Sequence, residues 1–522
     1  MKAKEIQEKY GNTDTQYESL ERLRDSLEGT WEDCAQLTLP YIFPPESMDE
    51  SEELPTPFNS VGPSAVNALA SKLLTALIPP TGPFFRFLPY DEVTKDLDEE
   101  QLTVLDKELS DLEQQLVEEI NVQSLRVPLY EAMKLLIVTG NALMYKVPKK
   151  GLKIFSPEQY VVKRDFIGNL NELIIKEKMN YVSLPDKVKK QLEDEIEEDN
   201  ILGLEEDETK INLKPVELYT RITRTSENKF LVWQEIKGVI LDGTIKNYSK
   251  EFLPYVPLRW STLNNEDYGR GLVEQYLGDL RSLEGLTQTI VEGSGIAAQF
   301  IFGLRPGSTL QVEDLNNAQN GEFVLGDLER EVSVLQVNKG PDLQVPFSMM
   351  QELQQRLSQA FLMLQGNIRD SERTTAVEVR ATISELESTL GGVYSVLATE
   401  LQQPLIRLIL QEMAPSVLKV SEISITTGIS AISRERDFQN LNTMVQVITQ
   451  FGPELSMKYL KMGAYFEQIA TALGMDARTI VKSDEEIAQE EQQQMQQQMA
   501  MQQQMQQQDT ENQMAVKATP SG

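Results

Sequence analysis

The chain has 522 residues and a formal net charge of −32, with 40% hydrophobic and 25% charged residues. Its length predicts about two to four domains or lobes, and its composition is typical of a globular protein. It contains no histidine, which argues against most zinc sites and most neutral-pH acid–base catalysis. Its single cysteine excludes an internal disulfide framework, and its acidity argues against tight, static binding of nucleic acid.

The first 150 or so residues are predicted to be mostly helical. Apolar residues recur at helical spacing in residues 17–37, 67–77 and 102–120. A further helix is predicted over residues 129–145, with a potential break near residue 140. The sequence contains no apolar run of 18 residues, which argues against a membrane span.

From about residue 146 to residue 262, the apolar pattern changes to the two-residue period of strands. Four short runs have strand-like composition: 160–162, 173–175, 216–219 and 230–233. The turn pairs Gly168-Asn169 and Asp242-Gly243 lie between such runs, so we predict a mainly antiparallel, β-rich insert. The acidic residues at 193–199 and 205–208 lack a fixed ligand spacing and predict a solvated face rather than a metal site.

Two further helices are predicted at residues 268–290 and 345–363. The stretch between them is rich in glycine and proline and has β-like pieces at 300–302 and 323–325. Within it, residues 293–298 match the loose dinucleotide pattern G-x-G-x-x-A, but a helix precedes the match where that fold requires a strand. A flexible helix-to-loop junction is therefore the better interpretation. The sequence also lacks a P-loop, which excludes a P-loop ATPase.

The longest periodic segment covers residues 374 to about 413 and follows a short polar loop at 365–373. Its apolar residues recur in steps of three and four, and Gly391, Gly392 and Pro404 are placed to bend the helix rather than to end it. A helix of this length would span about 60 Å, which is typical of an element that connects lobes or serves an assembly.

The C-terminal part is predicted to contain short helices at 437–480 and a Gln/Met tract at 492–508 that is disordered or partly ordered. Taken alone, the residues indicate a multi-lobed, acidic, non-enzymatic assembly protein without catalytic residues, metal or cofactor. A carboxylate-based nuclease is the enzymatic alternative. It would need clustered aspartates and glutamates in a defined core, and the sequence does not indicate such a cluster.

Six blocks of sequence carry a family resemblance: CAQLTLPYIFP (34–44), TPFNSVGPSAVNALASKLLTALIP (56–79), LYEAMKLLIVTGNALMY (129–145), YVVKRDFIGN (160–169), DYGRGLVEQYLGDLRSLEGL (267–286) and SELESTLGGVYSVLATELQQPLIRL (384–408). In this order they resemble the head-to-tail connector (portal) proteins of short-tailed, autographivirus-type phages. One block alone would be a weak match, whereas six in order are specific. The resemblance covers nearly the whole chain and fails after about residue 480, and the acidic stretch at 186–210 looks variable.

The resemblance implies an α+β, mainly helical phage portal fold, assembled as a cyclic ring of about twelve copies around a central channel. The implied parts are a wing (1–265, with the β-rich insert at about 146–262), a first stem helix (266–292), a clip (293–340), a second stem helix (341–363), a channel loop (364–373), a long kinked helix and wing return (374–433), a crown (434–482) and a Gln/Met-rich tail expected to be disordered (483–522).

The resemblance also implies the function of a portal ring at the unique capsid vertex. The implied partners are double-stranded DNA, the large terminase subunit, tail adaptor and nozzle proteins, capsid and scaffolding proteins, and internal core proteins, with no membrane and no cofactor. Assembly would take place in the host cytoplasm and the protein would reside in the virion. The channel-loop residues would be Gln365, Gly366, Asn367, Arg369 and Arg373, and the clip residues that dock the terminase or tail would be Arg305, Pro306 and Gly307.

The net charge fits a channel through which DNA slides without sticking, because an acidic tunnel repels phosphates. In this hypothesis, Arg369 and Arg373 touch the DNA backbone loosely, and the neighbouring Asp370 and Glu372 limit their attraction. The alternative is another non-enzymatic virion protein, such as a scaffold or an internal head protein. A scaffold would be mostly helical, and the β-rich middle of the chain argues against it.

Overall fold

The computed structural model describes residues 3–45, 52–79, 83–95, 99–195, 215–297, 300–308, 310–319, 325, 327–336, 340–363, 386 and 389–425. All of them belong to one compact unit, Met1–Thr427. They combine helices with open sheets, so the mixed α+β content predicted from the sequence is confirmed.

The elements are numbered here in chain order. The helices are α1 (Ala3–Tyr10), α2 (Thr13–Gln36), α3 (Val61–Leu77), α4 (Asp91–Thr94), α5 (Glu99–Val122), α6 (Arg126–Thr139), α7 (Asp186–Glu195), α8 (Leu272–Gln275), α9 (Leu277–Ala297), α10 (Val312–Asn317), α11 (Leu328–Glu331), α12 (Gly340–Ala360), α13 (Gly392–Leu397) and α14 (Gln403–Met413). The strands are β1 (Phe85–Pro89), β2 (Asn141–Val147), β3 (Gly151–Phe155), β4 (Tyr160–Arg164), β5 (Leu170–Asn180), β6 (Pro215–Ser226), β7 (Lys229–Ile236), β8 (Val239–Ile240), β9 (Lys246–Ser249), β10 (Tyr255–Arg259), β11 (Phe300–Leu304), β12 (Val332–Gln336) and β13 (Ser421–Ile425). A π turn, Ala398–Gln402, joins α13 to α14.

The predicted helices over 17–37, 67–77 and 102–120 are confirmed as α2, α3 and α5, and the four predicted strands lie in β4 to β7. The helix predicted over 129–145 is wrong in its second half. There α6 ends at Thr139 and the following residues form β2. The reason is Gly140, whose φ of 80° places it in the left-handed region that commonly terminates helices.

The largest buried cluster forms around α3 and α6, which pack against each other. Leucine and alanine occupy most inward positions of α3, so Leu69, Leu73 and Leu77 are fully buried. Burial of each such leucine stabilises the fold by about 2 kcal/mol. At its first turn, α3 approaches the end of α2 so closely that a side chain at Gly62 would meet the carbonyl oxygen of Leu37. Glycine is therefore required there.

Two of the sequence blocks that carry the resemblance meet at the end of α6. The side chain of Asn141 donates to the carbonyl of Gly269 (2.9 Å), and the amide of Gly269 donates to the Asn141 side chain (2.7 Å). A Cβ at Gly140 would lie 2.5 Å from the backbone at Arg270 and Gly271. This contact fixes the start of α8 and α9 against the buried cluster. Glycine is needed at position 140 because any side chain there would overlap the backbone of residues 270 and 271.

The strands form four sheets within the described residues. The largest has the order β4-β5-β6-β7-β8, with β9 also paired to β7, and its neighbouring strands are antiparallel. A second sheet has the order β10-β2-β3, and β11 pairs with β12. The fourth joins β1 to β13, which are far apart in sequence, with Phe85 opposite Ile425. The helical N-terminal region and residues 421–425 are therefore one folded body.

Candidate assembly and channel site

The two helices predicted as stem helices, α9 and α12, form an antiparallel pair. Near one end the rings of Tyr276 and Phe361 are 5.5 Å apart, and near the other a Cβ at Gly293 would lie 3.1 Å from the Leu343 side chain. Leu283 is fully buried on the inner face of α9. Because the contacts extend from Tyr276 to Gly293, the pair is held along most of its length.

Side chains of the N-terminal region hold this helix pair at its Tyr276–Phe361 end. Glu284 on α9 accepts hydrogen bonds from the amide of Phe58 (2.6 Å) and from the side chain of Asn59 (2.8 Å). Just past the end of the other helix, α12, the carbonyl of Leu362 accepts a hydrogen bond from the ammonium of Lys72, a buried residue of α3 (2.6 Å). Both helices are therefore hydrogen-bonded to the segment that contains α3.

The opposite end of the pair exposes apolar side chains. Val291 and Ile296 on α9 and Val345, Phe347 and Met349 on α12 are exposed. Isolated exposed apolar residues are common, but several on two adjoining helices indicate a surface that is covered in an assembly.

The predicted clip residues directly follow strand β11, which pairs with β12. The amide of Arg305 donates to the carbonyl of Glu331 (3.0 Å), and the amide of Ser308 donates back to the carbonyl of Arg305 (3.0 Å). Pro306 and Gly307 form the exposed turn between Arg305 and Ser308, and Gly307 has a φ of 85°. The structure therefore brings Arg305, Pro306 and Gly307 together in one solvent-facing turn. Of the β-like piece predicted at 323–325, only Leu325 is described, and it is not in a strand; β11 pairs with β12 instead.

The three residues predicted to bend the long helix lie in the segment 389–413. Gly391 leaves helical geometry, with φ 52° and ψ −119°, so the helical run is interrupted there and α13 starts at Gly392. Pro404 follows the π turn directly, and the helix continues through it. The π turn presents Glu400 to Arg259 (2.5 Å) and Gln402 to the carbonyl of Leu77 (2.5 Å).

The predicted channel-loop residues Gln365, Gly366, Asn367, Arg369 and Arg373 lie outside the described residues. So do the predicted crown at 434–482 and the Gln/Met-rich tail at 483–522.

Few features of the described part suggest catalysis or metal binding. Within it, no group of three or more carboxylates or cysteines is arranged to hold a metal, and no helix has the length and hydropathy needed to cross a bilayer. Cys34 is fully buried, and burial raises the pKa of its thiol to about 12. A thiol with this pKa is protonated at neutral pH and is a poor nucleophile.

Sequence analysis missed one feature, the tip of the β4–β5 hairpin. Phe166 and Ile167 lie there in adjacent positions, and both are exposed. The sequence predicts the turn through Gly168-Asn169, but not which side of it faces solvent. Two large apolar residues beside a turn pair were the available signal, because turns are usually polar.

Comparison with known proteins gives a consistent result. The family model described as "Bacteriophage head to tail connecting protein" matches residues 11–481. The chain is 35% identical to the portal protein of Escherichia phage T7, over 91% of this chain and 89% of that protein. It is also 35% identical to the portal protein of Enterobacteria phage T3, over 90% and 88% respectively. A solved structure entitled "Neck of native GTA particle computed with C12 symmetry" is more distant, with 10% identity, a TM-score of 0.34 and coverage of 74% of this chain and 86% of that one.

Proposed function

The chain belongs to the family of bacteriophage head to tail connecting (portal) proteins, and from this premise we propose that about twelve copies form a ring at one vertex of the capsid. In this proposal, double-stranded DNA passes through the ring into the head and later leaves by the same route. The large terminase subunit docks on the ring during packaging, and the tail adaptor and nozzle proteins dock on it afterwards. The protein is a structural part of the virion and performs no catalysis.

We assign the family's parts along the chain as follows. The wing is 1–265, the first stem helix 266–292, the clip 293–340, the second stem helix 341–363, the channel loop 364–373, the wing return 374–433 and the crown 434–482. Two observations support this map. The helices α9 and α12 form one antiparallel pair. In the chain between them β11 pairs with β12, and an exposed turn directly after β11 holds Arg305, Pro306 and Gly307. An exposed turn is suited to docking a second protein.

The chemistry of the channel follows from the charge. Each copy carries a formal net charge of −32, and we expect the wall of the channel to share this sign and to repel the phosphates of passing DNA. We place Arg369 and Arg373 at the narrowest part of the channel, where they touch the backbone without trapping it. In the same proposal, capsid and scaffolding proteins contact the wing, and internal core proteins contact the crown.

The observation that carries the proposal is the 35% identity to a phage portal protein over nine-tenths of the chain. Electron microscopy of the purified protein tests it most directly. We expect rings with a central hole wide enough for duplex DNA. A filament or dimer would instead favour a scaffold or internal head protein, and a compact monomer at every concentration would contradict the proposal.

The channel loop has its own test. Replacement of Arg369 and Arg373 together by glutamate should lower the amount of DNA retained per filled head, because carboxylates that repel the DNA backbone then replace the proposed loose contacts to it. Replacement of Arg22, an exposed arginine on α2, by glutamate is the matched control and should leave packaging unchanged. Equal DNA content in heads made with either variant would contradict the role of the loop.

A further inference from the structure

The tip of the β4–β5 hairpin, residues 165–169, exposes two adjacent apolar side chains. Phe166 is 81% exposed and Ile167 is 72% exposed. Exposure of both in the isolated chain loses the hydrophobic stabilisation that burial would give, and turns of this kind are normally polar. The pair therefore requires an explanation beyond the folding of a single chain.

The tip is rigid as well as apolar. The carboxylate of Asp165 accepts hydrogen bonds from the amides of Ile167 (3.0 Å) and Asn169 (2.8 Å) and from the guanidinium of Arg224 (3.1 Å). From the other side, the guanidinium of Arg164 donates to the carbonyl of Gly168 (3.1 Å). A tip fixed in this way loses little conformational entropy when a partner covers it, which is the property expected of a docking element.

The hydrogen bonds that the Asp165 carboxylate accepts at the tip also persist in mild acid. Desolvation opposes ionisation of Asp165, but hydrogen bonds from Asn169 and Ile167 outweigh it and lower the pKa of the carboxyl to about 2. The carboxylate therefore remains ionised, and able to accept these hydrogen bonds, at neutral and mildly acidic pH.

The charges around the tip differ in sign from those of the chain as a whole. The charged side chains of residues 163–169, of the residues bonded to or packed against them and of the ion-pair partner of Arg259 are Lys163, Arg164, Arg224, Lys250 and Arg259 on the basic side and Asp165, Asp267 and Glu400 on the acidic side. Basic groups are in excess by two, in a chain whose net charge is −32. Such a surface is complementary to an acidic one.

We infer that the β4–β5 tip, through Phe166 and Ile167, docks on an acidic surface of the neighbouring copy of this chain in the ring. The inference rests on the proposed function, which supplies identical neighbours. A second copy fits because it is strongly acidic and because a ring closes through heterologous contacts, in which one patch of each subunit meets a different patch of the next. The apolar pair provides the contact area, and the basic residues orient it.

The test is the concentration at which purified protein assembles, measured by native mass spectrometry and sedimentation. The double variant Phe166→Ser/Ile167→Ser should require about tenfold more protein or higher to form rings, because truncation of well-packed apolar anchors costs at least that much. The control is Val122→Ser/Val127→Ser, which removes two side chains that are 78% and 69% exposed on the α5–α6 corner. It should assemble like the wild type.

A second pair of variants tests the charges. Lys250 donates to Asn169 at the tip, so Lys250→Glu should also weaken assembly. Lys187→Glu, which changes an exposed lysine of α7 outside the hairpin, should not. All four variants should keep the wild-type unfolding midpoint, because the changed side chains are exposed.

The outcomes distinguish failure of the proposed function from failure of the inference about the β4–β5 tip. Wild-type protein without rings would contradict the proposed function and with it the inference. Rings from wild type and from the tip variant at the same concentration would overturn the inference alone. Normal rings from the tip variant that then fail to enter heads would also overturn it, and would assign the tip to a capsid or scaffolding partner.

Discussion

Arg24 shows how one buried charge can hold a helix on a sheet. Its side chain is 2% exposed, and its guanidinium donates to the carbonyls of Pro157 and Tyr160 at the start of β4. Glu28, one turn along α2, neutralises it at 2.6 Å. Arginine suits this place because its fork of donors can satisfy a carboxylate and several carbonyls together.

Replacement of Arg24 by methionine should destabilise the protein by about 3–5 kcal/mol, because it leaves buried carbonyls unsatisfied and Glu28 without its partner. The measurement is chemical denaturation of the purified protein. Arg22→Met is the control, since Arg22 is 77% exposed and its ion pair with Glu18 contributes at most about 0.5 kcal/mol. Equal losses in the two variants would show that the Arg24 network does not hold α2.

At the scale of elements, strong periodicity determined what could be predicted. The helices α2, α3 and α5 and the strands β4 to β7 have regular apolar repeats, and sequence analysis located them. The sequence pattern predicts a helix for most of strand β2, because its residues, Asn141–Val147, are buried on both faces and lack polar alternation. The pairing of β1 with β13 depends on a contact between residues more than 300 positions apart, so no local pattern could indicate it.

Local sequence predicts one part of the site's geometry and not another. Proline and glycine at 306 and 307 predict an exposed turn, and the structure has one there. The π turn at Ala398–Gln402 lies just before Pro404, one of the residues predicted to bend the helix, and a proline disturbs the helical turn before it. The contacts of Glu400 with Arg259 and of Gln402 with Leu77 have no such local signal, because they depend on residues distant in sequence.

The end of α12 is an element junction that should depend on Lys72. The amide of Met363 donates to the carbonyl of Ser358 and that of Leu362 to the carbonyl of Gln359, which is the Schellman pattern. Glycine usually occupies the left-handed position, but here Leu362 does, with a φ of 58°. That backbone costs about 1–2 kcal/mol for a leucine. Burial of its side chain and the hydrogen bond from Lys72 offset the cost.

We therefore expect Lys72→Met to destabilise the protein by about 1–3 kcal/mol, because the buried carbonyl of Leu362 loses the donor that α3 supplies. Hydrogen exchange should also accelerate selectively in residues 357–363. Arg356→Met is the control on the same helix, because its contact with Asp279 (3.4 Å) is exposed and weak. If exchange increased equally across α3 and α12, Lys72 would be supporting the fold in general rather than this junction.

At the scale of the whole molecule, the net charge determines how copies of the chain interact at long range, and it can be calculated from the sequence alone. Copies that each carry −32 repel one another at long range, whereas the apolar surfaces on α9 and α12 and the β4–β5 tip act only at contact. Assembly of the proposed ring is a balance between these terms. The long-range term can be changed without mutation, because dissolved salt screens it.

Raising the ionic strength from about 10 mM to about 100 mM shortens the screening length from about 30 Å to about 10 Å. That removes most repulsion between neighbouring acidic copies and leaves the short-range contacts nearly intact. We therefore expect the concentration needed for ring formation to fall as salt rises over this range, as light scattering or mass photometry would measure. Rings that dissociate as salt is added would instead mean that attraction between oppositely charged patches, rather than apolar contact, is the main force that holds the copies together.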